Sequence, residues 1–229
     1  MQRLALFDLD NTLVNLDEAF QVWAGEFAAD HGLGSGAVEW LIALNKAGHP
    51  HRAEFFTLAQ EHFALAASVA ELWAEYRRRM PHLVRCRPEV MDGLARLREA
   101  GWKVAIVTNG MADNQLGKLR ATGLADAVDA YALSGAEGIR KPDVRLFEIA
   151  AGRCGAACAD GGWMVGDHLI ADIAGGRAAG LSTIRIDRGT WPDPQNDADH
   201  VVTDVVLAME IVRESAAARG EAGLAPSSR

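Results

Sequence analysis

Five short apolar runs, separated by stretches long enough for helices, constrain this chain more than any other feature. They are Leu4–Phe7, Val104–Val107, Trp163–Val165, Thr183–Ile186 and the brief Val201–Val202, with a weaker sixth at Tyr131–Leu133. Short apolar runs without polar alternation read as strands buried on both faces. Helical patterns lie between them: Leu94, Leu97 and Arg98 precede the second run, and Ile170–Ala179 follows Trp163–Val165. Gly101 and Gly180 stand where such helices would stop, because glycine accepts the left-handed conformation of a helix C-cap. Strands alternating with helices predict βαβ units and a parallel sheet, hence an α/β fold.

The stretch from Asn15 to Arg85 breaks this alternation. It shows no convincing strand but four helical runs, Asp17–Asp30, Ala37–Ala47, Arg52–Leu65 and Val69–Met80. Asp17 and Ser68 suit N-caps, and Gly32, Gly34 and Gly48 suit breaks. The expected organisation is a core of residues 1–14 and 86–215, an inserted all-helical cap domain of residues 15–85, and a flexible C-terminal tail of residues 216–229. A helical unit attached by two crossings beside an active site can act as a lid.

Composition narrows the partners. The 229 residues are 49% hydrophobic, so a core forms without a covalent staple, and the net charge of −8 disfavours nucleic acid or an anionic membrane surface. No apolar run reaches the length of a membrane span, and the chain enters a strand within three residues, so no signal peptide is visible. Cys86, Cys154 and Cys158 are too few for a disulfide framework and read as free thiols of a cytoplasmic protein. Cys154 and Cys158 lie four apart, but no second Cys/His pair of matching spacing completes a zinc site.

The polar residues of interest sit at or beyond strand ends, where open α/β sheets bind ligands. Asp8-Leu9-Asp10-Asn11-Thr12 follows the first run and Thr108-Asn109-Gly110 the second. Lys141-Pro142 follows Ile139-Arg140, and Gly166-Asp167-His168 is followed by Asp172. Asp8 and Asp10 would repel each other unless a cation sat between them, which points to a hard metal ion. These residue types suit displacement at phosphorus. A carboxylate can attack, a second carboxyl can shuttle protons, and acidic groups from two loops can hold magnesium. A hydroxyl, backbone N–H groups and an ammonium can bind phosphate oxygens.

In this order and at these spacings the four segments resemble the motifs of the haloacid dehalogenase-like hydrolase superfamily, over about Arg3 to Met209. The helical insertion is similar to that family's type 1 cap. The resemblance implies a Rossmann-like core with a doubly wound parallel sheet, and a Mg2+-dependent phosphatase with Asp8 as nucleophile and Asp10 as general acid/base. It implies that Thr108 and Lys141 hold the phosphoryl group, with the Asn109 backbone beside them. Magnesium would be bound by the Asp8 side chain, the Asp10 carbonyl and Asp167, with Asp172 holding a metal-bound water or orienting Lys141. Asn11 stands where many members have glycine, and asparagine tolerates unusual turn dihedrals. The family's dehalogenases lack the second aspartate of the first motif, so Asp10 favours phosphate chemistry. The expected substrate is a small phosphorylated metabolite, such as phosphoglycolate, a sugar phosphate or a nucleoside monophosphate, acted on by a monomer or homodimer. Alternatives are a phosphomutase of the β-phosphoglucomutase kind, a haloacid dehalogenase, or a non-catalytic binding module.

Plainer readings stand beside these. Thr108 or Asp167 could cap a helix, Lys141 could be a solvated loop lysine, and His168 a loop side chain. The cluster Asn45-Lys46-Ala47-Gly48-His49-Pro50-His51-Arg52 reads as a loop between cap helices, in which Arg52 or His51 could contact substrate. Trp23, Trp40 and Trp73 read as helix-packing core rather than a nucleobase platform, and Arg77-Arg78-Arg79 as a solvated helix end.

Overall fold

The apolar runs pair side by side. The computed structural model describes residues 2–47, 52–189 and 197–222. Among these residues the strands are β1 (Leu4–Phe7), β2 (Lys103–Thr108), β3 (Ala130–Leu133), β4 (Trp163–Gly166), β5 (Ser182–Ile186) and β6 (His200–Val202). They form one six-stranded sheet in the order β3-β2-β1-β4-β5-β6, and every pair is parallel. The chain builds outward from β1 first on one side and then on the other. The crevice at the carboxyl end of β1 is therefore the switch point where such sheets bind ligands.

The helices are α1 (Leu16–Asp30), α2 (Ala37–Lys46), α3 (Arg52–Phe63), α4 (Val69–Arg79), α5 (Pro88–Glu99) and α6 (Ala112–Ala121). They continue with α7 (Leu124–Ala127), α8 (Ser134–Glu137), α9 (Val144–Arg153), α10 (Gly175–Ala178) and α11 (Val205–Ala222). Leu4, Leu6, Val107 and Met164 share a buried cluster with Leu146, Phe147 and Ala150 of α9. Trp163 points the other way, donating from Nε1 to Ser215 Oγ of α11 at 3.1 Å. There α5 packs on α11 so closely that a Cβ on Gly93 would lie 2.4 Å from Met209 Sδ. Both sheet faces are thus covered, the doubly wound arrangement. Fully buried side chains such as Phe7 and Phe147 contribute on the order of 1.5–3 kcal/mol each.

The chain divides into two units. One comprises Met1–Val14, Cys86–Ala112 and Gly123–Arg229, and the other Asn15–Arg85 with Asp113–Thr122. The second unit therefore takes in most of α6, which the sequence reading assigns to the core. Arg77 pairs with Asp113 at 3.0 Å, and a Cβ on Gly117 would meet Pro81 Cγ at 2.7 Å. Trp23 is buried there, its ring centroid 4.8 Å from that of Phe27 and 5.0 Å from that of Tyr76. Trp40 stacks on His62 at 4.0 Å, and Trp73 lies under the Arg77 guanidinium at 5.0 Å.

Three local expectations need correction. The α1 cap is Asn15, which accepts from the Glu18 N–H, and not Asp17. The Arg77–Arg79 run is not simply solvated, since Arg79 forms a two-pronged bond with Glu26 at 2.6 Å. The tail expected from residue 216 begins no earlier than the end of α11, which runs to Ala222. Ser68 does cap α4, through a capping box with Glu71. Cys86, Cys154 and Cys158 are free thiols. Among the described residues no helix is long and apolar enough to cross a membrane.

Candidate active site

Past the end of β1 the chain turns sharply. The Leu9 carbonyl accepts from the N–H groups of Thr12, Leu13 and Val14, and Asn11 takes a left-handed φ of 62°. Asn pays less for that conformation than most residues. Asp8 is anchored by its own N–H on the Val165 carbonyl of β4 at 2.9 Å. Thr108 closes β2 and is buried, so it is a strand residue and not the cap of α6.

Lys141 is 3% exposed, which a solvated loop lysine would not be. Its Nζ donates to Asp8 Oδ1 and to Asp172 Oδ1, both at 2.6 Å. The loop that delivers it is splinted by Asn109, whose Nδ2 donates to the Lys141 carbonyl at 3.1 Å and whose Oδ1 accepts the Lys141 N–H at 2.9 Å. The sequence reading gave Asn109 only a backbone role. The complementary amide edge of an asparagine after β2 was the available signal. The Lys141–Pro142 peptide is cis.

Asp167 follows β4 half-buried, and Asp172 is buried in the turn beyond it. Residues Leu169–Ala174 form a π-helix rather than the regular helix expected, and its N-cap is His168, not Asp167. Gly166 has no room for a side chain: a Cβ there would lie 2.3 Å from Asp172 Oδ2. Gly166→Ala is therefore expected to push Asp172 off Lys141. It should slow catalysis on the order of 100-fold, the usual effect of an ångström-scale misplacement, with an unchanged circular-dichroism spectrum. A rate within threefold of wild type would show that Asp172 has no such role.

One cavity of about 220 Å³ brings together Asp8, Asp10, Asn11, Thr108, Asn109, Lys141, Asp167, His168 and Asp172. Arg52 is not among the residues that line it and belongs to the helical unit. It donates to Asn45 Oδ1 at 2.6 Å and to Tyr76 Oη at 3.3 Å, with its guanidinium 5.1 to 5.5 Å from the rings of Tyr76, Phe55 and Phe20. Its neighbours within that unit account for its position. His51 and the rest of residues 48–51 lie outside the described residues. A larger cavity, about 590 Å³, opens among Trp23, Phe27, Glu75 and Arg79 of the same unit, but it has no converging carboxylates and lysine.

Electrostatics single out the smaller cavity. Burial pushes Asp8 up to about 7, with Lys141 pulling against it and Asp172 and Asp10 adding to it. Burial also pushes Asp167 up to about 8, aided by Asp8 and Asp172 and opposed by Lys141 and Arg188. Burial disfavours the Lys141 charge, but Asp172 and Asp8 together outweigh it and the ammonium is held. One lysine does not neutralise this cluster. Oxygens of Asp8, Asp167 and Asp172 lie within 4.8 Å of one another, a set of hard donors that fits a small divalent cation. Asp10 lines the same cavity but is outside that trio.

A model of the haloacid dehalogenase-like hydrolase family matches residues 2–180. A phosphoserine phosphatase of Thermus thermophilus is 39% identical over 190 residues, covering 82% of this chain and 66% of that protein. A glyceraldehyde 3-phosphate phosphatase of Methanopyrus kandleri is 37% identical over 136 residues, 56% of this chain and 57% of that one. The chain thus spans roughly half to two thirds of the length of these relatives. The solved HAD-hydrolase YfnB of Bacillus subtilis, bound to magnesium, shares the fold at a TM-score of 0.78 and 24% identity, over 92% of this chain and 98% of that one. A family match across most of the chain, with Asp8 after β1 and Asp172 in the turn beyond β4 both bonded to the buried Lys141, shows that this protein belongs to the haloacid dehalogenase-like hydrolases.

Proposed function

We propose that the chain is a Mg2+-dependent phosphatase acting on a small phosphate monoester in the cytoplasm. The observation that carries this reading is the buried Asp8–Lys141–Asp172 bridge, with Asp10 lining the same cavity. A carboxylate held on a buried ammonium is kept in one orientation, as a nucleophile must be. Asp8 attacks phosphorus while the carboxyl of Asp10 protonates the departing alkoxide. The ionised Asp10 then takes a proton from water, whose oxygen attacks the aspartyl phosphate, freeing inorganic phosphate and restoring Asp8. Thr108 and the Asn109 N–H bind the phosphoryl oxygens, and Lys141 keeps Asp8 aimed. Asp8, Asp167 and the Asp10 carbonyl would hold the cation, with Asp172 close by; when bound, its charge offsets repulsion between carboxylate and phosphate. Asp10 also argues against dehalogenation, because a departing halide needs no proton. Free thiols support a reducing compartment. The phosphatase names of two relatives support the reaction class, and their different substrates leave the ester itself to experiment.

The test is phosphate release from a panel of esters that includes p-nitrophenyl phosphate, phosphoserine, phosphoglycolate, sugar phosphates and nucleoside monophosphates. Release is expected with Mg2+ and is expected to vanish in excess EDTA. No release from any ester by folded protein in millimolar Mg2+ would overturn the reading.

A further inference from the structure

The network that holds Lys141 can be traced one residue further back, to His168. Its Nδ1 accepts from the N–H groups of Ile170 at 3.2 Å and Ala171 at 3.1 Å. Its own N–H donates to Asp172 Oδ2 at 3.0 Å. Its carbonyl accepts from Asp172 at 2.9 Å and from Ile173 at 3.3 Å, the second bond spanning the wide π-type turn. Such turns are rare and cluster at functional sites. We infer that His168 is a positioning residue, whose imidazole holds open the turn that aims Asp172, and through Asp172 the Lys141 ammonium, at Asp8.

Three observations support this assignment. The two N–H groups taken by Nδ1 are those of the second and third helical positions, which an N-cap side chain ordinarily satisfies. Histidine is not among the favoured caps, which are Ser, Thr, Asp and Asn. Aspartate here would add another carboxylate to the Asp8, Asp167 and Asp172 cluster, whereas a neutral imidazole accepts both bonds without negative charge. Finally, Asp172 has little freedom of its own: Gly166 packs against its side chain and the His168 N–H holds its Oδ2, which leaves Oδ1 for Lys141. Loss of the cap would leave the turn free to tighten toward ordinary helix, which would turn the Asp172 carboxylate away from Lys141.

Only the kinetic readout rests on the phosphatase reading. His168→Ala is expected to lower kcat about 10- to 100-fold, as loss of an outer hydrogen-bonding partner commonly does. KM should stay within about threefold, since no substrate contact is removed. His168→Asn, whose Oδ1 can accept the same two bonds, should restore kcat to within about threefold of wild type. His168→Gln, with the same amide set one carbon further out, should remain impaired. Amide hydrogen exchange gives a second readout that needs no activity. Protection at Ile170 and Ala171 should be lost in His168→Ala and retained in His168→Asn. A wild-type kcat in His168→Ala, or equal impairment of the alanine and asparagine variants, would overturn the assignment. If His168→Ala does not fold, the Asn and Gln variants decide, and equal rates with equal protection would overturn it. A wild type that releases no phosphate fails the phosphatase reading alone, because the exchange pattern still tests the role of His168.

Discussion

Exchanging Asp8 for Asn is expected to abolish phosphate release and, at the same time, to make the metal-free protein harder to melt. The amide keeps the shape of the carboxylate and can still accept from Lys141, but it does not attack phosphorus. Removing a nucleophile typically costs on the order of 10⁴-fold or more in kcat. Stability moves the other way because the folded state holds Asp8 near a pKa of about 7, mainly through burial. Between the ordinary carboxylate pKa and that value, the unfolded chain has lost the proton while the folded chain still binds it. Stability of the wild type therefore falls as pH rises through that window, and Asn is free of this effect. In EDTA the melting advantage of Asp8→Asn should be small at pH 4, grow towards pH 7 and level off above it. Saturating Mg2+ should reduce it, because a cation bound as proposed would favour the ionised wild-type cluster. Melting curves at three pH values, with phosphate release assayed alongside, check both halves. A variant that retains a tenth of wild-type turnover would rule Asp8 out as nucleophile.

Lys141→Met should have the largest effect on stability. Lys141 and both of its carboxylate partners are buried. Taking away one member of a buried ionic group commonly costs about 3–5 kcal/mol, because the remaining charge is left uncompensated. In a chain of this size each kcal/mol lowers Tm by about 2–4 °C, so a fall of roughly 6–20 °C is expected in EDTA. The double variant Lys141→Met with Asp8→Asn should recover part of it, since one buried carboxylate charge fewer is then left uncompensated. Arginine should not substitute well, because its planar fork is too large for a site shaped around a point charge. Calorimetry reads the shift directly, and a change below 1 °C in the single variant would contradict the bridge as the source of the stability.

Much of this architecture was legible because its signals are local. Each strand announces itself as an apolar run between polar turns, and Leu4–Phe7 and Thr183–Ile186 need no distant information to be recognised. Asp8, Thr108 and Asp167 stand at or just past the ends of β1, β2 and β4, and a parallel sheet places such ends on one edge, whereas Lys141, beyond α8, reaches them only through the fold. What escaped depends on partners remote in sequence or on backbone geometry. Arg79 meets Glu26 across 53 positions, a pairing no local pattern announces. The assignment of α6 to the helical unit follows from the fit of Gly117 against Pro81, which only the fold creates. The π-helix escaped because apolar periodicity over Ile170–Ala179 is the same whether the first turn is wide or regular. The choice between Asn15 and Asp17 as cap depended on where the turn after β1 ends, and the left-handed Asn11 sets that.

The strand order carries a consequence for how the chain is made. β1 is made before the other strands, yet it pairs on one side with β2, roughly a hundred residues later, and on the other with β4, later still. At synthesis rates of about 5–20 residues per second, Leu4–Phe7 waits for several seconds without a sheet partner, a fully apolar segment in search of one. Such long-range pairing is slow to form and open to aggregation. Asp8 sits at the tip of this waiting strand, and Asp172 follows its last partner. The buried cluster around Lys141 therefore cannot assemble until Asp172 has been made, long after Asp8, and until β2 arrives Leu4–Phe7 is a client for whatever shields exposed apolar chain in the cell.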